Sequence, residues 1–143
     1  MTSQKHSPEH PSAARGRTSI GALLYGLAAA PCAWFAAQIF SAGLTQHACF
    51  PKYDPLLTPA FAGSRLACIL ALLIAMAVSA SGALIAYIAW RRTRSEHVGD
   101  TGVLLDIGEG RSRFMALAGL LTSVGFLISS LFSLPAAIVV PTC

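Results

Sequence analysis

Four cysteines, Cys32, Cys49, Cys68 and Cys143, offer the most chemistry in this chain. Paired in an oxidising compartment they form disulfides; reduced, a thiolate beside an imidazole can hold a soft ion such as Cu(I). His47-Ala48-Cys49 places those two donor types two residues apart, and with Cys68 and Cys143 it outlines a thiol- or copper-handling set. Methionine ligands that would reinforce such a site are badly placed. Met1 opens a polar tail, Met76 sits in the middle of an apolar run, and Met115 stands at the start of another. His6 and His10 lie in a tail with no rigid element to hold them in metal geometry.

Which of these groups can meet depends on three uncharged stretches, Ile20–Leu44, Leu66–Trp90 and Phe114–Val140. Each exceeds the roughly 20 apolar residues that carry a helix across a bilayer core. None shows the polar stripe of a soluble amphipathic helix. Only 11% of the chain is charged, against roughly 25% in soluble domains. The expected fold is an all-α bundle of three transmembrane helices. Residues 1–17 are read as a disordered tail and 18–143 as the membrane domain, with connections over 45–65 and 91–113. No connection has room for a soluble catalytic domain. The first apolar run is too long for the h-region of a cleaved signal peptide and reads as a retained anchor.

Placement of charge sets the expected orientation. The tail carries Lys5, Arg15 and Arg17, and segment 91–113 carries Arg91, Arg92, Arg94, Arg111 and Arg113. Segment 45–65 has only Lys52 and Arg65. By the positive-inside rule the N-terminus and the 91–113 loop are cytoplasmic, and the 45–65 loop and C-terminus are periplasmic. The net charge of +4 therefore reads as topology and lipid-headgroup contact, and no nucleic-acid partner is expected. Cys49 and Cys143 then share the oxidising side close to the membrane surface, so a Cys49–Cys143 disulfide is expected, with Cys68 the competing partner. Cys32 lies near mid-membrane and reads as a packing residue.

Within the spans the association signals are small residues every fourth position. They run Ala22, Gly26, Ala30 and Ala29, Ala33, Ala37, Ser41 in the first; Ala67, Ala71, Ala75, Ser79, Ala83 in the second; and Gly125, Ser129, Ser133, Ala137 in the third. Gln38, the one strongly polar side chain in any span, should face another helix, a cofactor or the interface, with Trp34 beside it as a contact residue. Pro31 should bend the first helix and Pro135 the third. Prolines 51, 55 and 59 favour an extended connection, and Tyr87-x-x-Trp90-Arg91-Arg92 has the order of an inner boundary. Gly108-Glu109-Gly110-Arg111 lacks the Lys-Ser/Thr of a phosphate loop.

Absences narrow the function. All four histidines (His6, His10, His47, His97) fall outside the spans, and no Asp, Glu, Lys or Arg falls inside them. Proton relays, ion pathways and catalytic triads need such groups. No enzyme, pump or channel is expected, and no cofactor or metal site is assigned.

Pro31-Cys32-Ala33-Trp34-Phe35-Ala36-Ala37-Gln38, followed by Ala48-Cys49-Phe50-Pro51 and the late Cys143, resembles small membrane proteins encoded beside bacterial haem-copper terminal oxidases. The match covers about 20 residues plus Cys143, and Cys32 departs from the pattern. The resemblance implies an accessory or assembly role at a respiratory oxidase in the bacterial inner membrane, and it brings no catalytic residue. The alternatives are the thiol- or copper-handling protein above and a homo-oligomer without a partner.

Overall fold

A computed structural model describes residues 19–94, 109–140 and 143 of the chain. The expected tail over 1–17, His97, most of the 91–113 connection and Pro141 lie outside the described residues. Three helices account for almost everything described: α1 (Ile20–Cys49), α2 (Ser64–Arg94) and α3 (Glu109–Val139). A short 3₁₀ turn covers Pro51–Tyr53, and there is no strand among the described residues. All three helices are long and apolar enough to cross a membrane. The chain is thus an all-helical, multi-pass membrane protein.

Each helix overruns the uncharged stretch that nucleates it. α1 continues five residues past Leu44, α2 starts before Leu66 and runs to Arg94, and α3 begins at Glu109 rather than Phe114. Hydropathy marks where apolar side chains stop, whereas the backbone goes on bonding to itself until a proline or a capping partner ends it. Pro51 supplies the stop for α1. The connection beyond folds back to cap the helix: Leu56 N–H donates to the Cys49 carbonyl (2.8 Å) and Ala60 N–H to the Ala48 carbonyl (2.9 Å). Two carbonyls left over by the helix end thereby find donors. The helices run through Pro31 and Pro135 without interruption. Lys52 (φ 58°) and Gly63 (φ 91°) are the described residues with positive φ. Gly63 adopts that conformation freely and lets the connection turn into α2.

Contact between helices is closest where three glycines cross. A Cβ added to Gly26 of α1 would lie 3.2 Å from the Ala86 Cβ of α2; one on Gly82 would lie 2.9 Å from Ser123 Oγ. On Gly119 of α3 it would meet the Gly26 carbonyl carbon and oxygen, both at 3.1 Å. Ser123, fully buried, donates its hydroxyl to the Gly26 carbonyl at 2.9 Å. Lipid tails give helices no hydrophobic reason to associate, so close backbone packing must supply the attraction. An interhelical hydrogen bond in a membrane contributes about 0.6 kcal/mol on average. Forcing a side chain into a packed contact costs about 1–3 kcal/mol. Packing therefore dominates at the crossing.

Towards the end away from the disulfide, Leu23, Ala89 and Ala116 form a small buried cluster flanked by Trp90 and Met115. Tyr25 OH lies 2.8 Å from Ser81 Oγ, and Ser81 Oγ donates to the Val78 carbonyl, so the tyrosine is the donor to Ser81. Arg91 lies over the Tyr87 ring, 5.9 Å from its centroid. Large side chains such as Ile39, Phe40, Ile74, Leu121 and Phe132 point outward. That surface suits hydrocarbon and would aggregate in water.

The crossing predicts a ranked set of substitutions, read by reversible unfolding in mixed micelles. Gly119→Val should cost about 3 kcal/mol, because the added carbons meet backbone that cannot rotate away. Ser123→Ala should cost about 1 kcal/mol. Gly125→Ala, with no atom within 4 Å of the new carbon, should stay within about 0.5 kcal/mol of wild type. Equal losses at Gly119 and Gly125 would refute the assignment.

Candidate functional site

The end of the bundle where α1 finishes and α2 begins gathers most of the reactive and polar side chains. Cys49 and Cys143, 94 residues apart in sequence, are joined in a disulfide across a Cα–Cα distance of 5.5 Å. The bond ties the segment beyond α3 to the end of α1, and the connection that folds back onto Ala48 and Cys49 brings the start of α2 into the same knot. In the chain-entropy account, closing a loop of this size removes about 4–5 kcal/mol of freedom from an unfolded soluble chain. Helices that stay inserted in lipid have less freedom to lose.

With Cys49 and Cys143 bonded to each other, neither can serve as a thiolate ligand. Cys32 and Cys68 remain free; Cys32 is exposed on the apolar surface of α1, and Cys68 is buried. His47 is exposed and lines a hollow with Gln46, Phe50 and Lys52. Cys68 lines a different one. Among the described residues no group of three or more His, Cys, Asp or Glu is close enough to share a metal ion.

The hollow containing Cys68 is an open cleft of about 390 Å³ between all three helices. α1 contributes Gln38, Ser41 and Thr45, α2 contributes Arg65 and Cys68, and α3 contributes Ser133. Gln38, the residue singled out in the sequence, is half-buried here. Ser41 Oγ is enclosed and has no hydrogen-bond partner among the described residues. Other helix serines behave differently. Ser79, Ser129, Ser130 and Ser133 each donate to the carbonyl four residues back. Among the described residues Arg65 is the one charged group on the cleft wall, and its Nε–H donates to the Ala137 carbonyl at 3.3 Å.

Trp34 is half-buried against α3. Its ring lies 5.0 Å from Phe35 and 5.5 Å from Phe126, centroid to centroid, and its Nε1 is enclosed without an acceptor. The small-residue row of α2 turns inward, with Ala75 and Ser79 buried and Ala71 and Ala83 half-buried. The row of α3 does not. Gly125 and Ser129 are exposed on the outside of the bundle, and Ser133 is half-buried at the cleft. The face of α3 that meets its neighbours carries Ala116, Gly119, Ser123 and Ser130 instead. Gly82, Gly119, Ser123 and Arg65 are the contact residues that sequence reading passed over. All stood in the sequence as small or basic residues, and only the neighbouring helix reveals which face they occupy.

Fold and site together define a multi-pass membrane bundle closed at one end by a disulfide beside a polar cleft. No family model, curated protein or solved structure matches this chain.

Thiol counting tests the sulfur assignment. Denatured without reductant, the protein should take up two maleimides, at Cys32 and Cys68; after reduction it should take up four. Four without reductant would remove the disulfide, and protection of Cys68 in place of Cys143 would reassign it.

Proposed function

We propose that this chain is a non-catalytic accessory, structural or assembly subunit of a larger complex in a bacterial inner membrane. On the resemblance of its first span and Cys-Phe-Pro segment, that complex is a respiratory terminal oxidase. The observation that carries the reading is the outward row of α3. Gly125 has open space where a side chain would stand, and Ser129 is exposed one turn on, its hydroxyl already satisfied by the Gly125 carbonyl.

A face built only to meet lipid is well served by large side chains, as on the surrounding surface. Small residues at helical spacing instead let a second backbone approach. The crossing of Gly26, Gly82 and Gly119 illustrates what such residues do when a helix arrives. A non-catalytic role fits the uncharged stretches Ile20–Leu44, Leu66–Trp90 and Phe114–Val140, which hold no acid or base, the groups that relays and ion pathways require. In this reading the basic segments at 5–17 and 91–113 face the cytoplasm and the disulfide faces the periplasm, where it can persist.

Gentle detergent extraction from native membranes, followed by mass spectrometry, should recover the chain with haem-copper oxidase subunits. Gly125→Leu should reduce that co-purification at least tenfold with the two-thiol count intact. Ala80→Leu, on an exposed position of α2, should leave it unchanged. Recovery of the chain alone, or only with further copies of itself, would defeat the proposal.

A further inference from the structure

The cleft at the disulfide end has an order of chemistry along its depth. Arg65 stands in the first turn of α2, at the mouth, while Leu72 lies two turns deeper on the same helix. On α1, Thr45, Ser41 and Gln38 descend from the same end over seven residues, about 10 Å of helix. All three line the cleft. Spacings of three and four put them on one face. None makes a hydrogen bond to another side chain or backbone group among the described residues, and Ser41 forgoes even the local bond to the preceding turn that other serines make. At this depth a hydroxyl or amide without a partner is costly, because hydrocarbon supplies none.

From these observations we propose that the cleft binds the phosphate and glycerol ester region of one anionic phospholipid. A phospholipid presents its groups in the matching sequence: phosphate outermost, ester carbonyls below it, acyl chains below those. A guanidinium has five N–H donors, and Arg65 commits only Nε–H to Ala137, which leaves the others for phosphate oxygens. Ester carbonyls only accept, and the hydroxyls of Thr45 and Ser41 and the amide of Gln38 can donate. Leu72 supplies the apolar wall deeper in the cleft, while Ala136 and Ala137 of α3 line the mouth beside Arg65. About 390 Å³ accommodates the headgroup and ester region, and because the cleft is open the chains extend from it into the bilayer. Among the described residues no Asp or Glu lines it to compensate the ammonium of a zwitterionic headgroup. That selects a net negative lipid.

The test uses the full-length, disulfide-bonded protein in native mass spectrometry. After delipidation it is exposed in turn to phosphatidylglycerol, phosphatidylcholine and inorganic phosphate. One phosphatidylglycerol should be retained per chain, at least tenfold in preference to phosphatidylcholine at equal concentration. Arg65→Gln should abolish the preference, and Arg65→Lys should keep most of it. Ser41→Ala combined with Gln38→Leu should weaken both lipids alike by at least fivefold. Lys52→Gln, outside the cleft, should change nothing. The two-thiol count and the unfolding midpoint establish that each variant is folded. Competition by millimolar inorganic phosphate would overturn the lipid in favour of a free anion site. Retention unaffected by every cleft variant, or no retention, would overturn the site itself.

Discussion

Everything else in this bundle is arranged around one backbone approach, where Gly26, Gly82 and Gly119 let three helices come together and Ser123 bonds to the Gly26 carbonyl. A bilayer interior removes the force that assembles soluble cores, because a leucine gains nothing by leaving lipid for protein. Dispersion between closely packed atoms remains, and it falls away within fractions of an ångström. Three residues without side chains therefore let the backbones come close enough for that attraction to act. The large apolar residues turn outward because lipid is as good a neighbour as protein.

The two ends of the bundle are secured by different physics. One uses packing and interfacial side chains: Leu23, Ala89 and Ala116, with Trp90 and the Tyr87–Arg91 contact beside them. The other uses a covalent bond and a connection folded back on the end of α1. That division leaves the disulfide end free to be less densely packed. A cleft can open between the helices there without the helices separating, since Cys49 and Cys143 hold the end closed. The polar residues of α1 collect where the covalent tie makes tight packing dispensable.

Much of the architecture was legible before any coordinates. Uncharged runs fix three spans because the bilayer imposes length and apolarity directly, and residues at those runs' edges were lost only because helices end by backbone chemistry rather than hydropathy. The Cys49–Cys143 bond was expected from the orientation that the charge placement favours, which sets both sulfurs at one end of the bundle. Faces were harder. In α3 a row at Gly125, Ser129 and Ser133 and a set at Gly119, Ser123 and Ser130 look equally suited to packing, and they differ only in where α1 and α2 happen to lie. A helix rich in small residues has several such faces, and spacing cannot rank them. Gln38 was visible as an anomaly, but its companions Ser41, Thr45 and Arg65 became a site only when α1 and α2 were set side by side.

The 94-residue separation of the two bonded cysteines has a consequence for synthesis. At roughly 5–20 residues per second the ribosome needs about 5–20 s to pass from one to the other. Throughout that interval the earlier sulfur has been made and its proper mate has not, while Cys68 follows only 19 residues behind it. Cys68 is buried in the complete three-helix bundle, on the wall of the cleft, so packing of all three helices shields the nearer thiol from exchange. The bond between distant cysteines therefore goes with a bundle whose packing covers the nearer competitor.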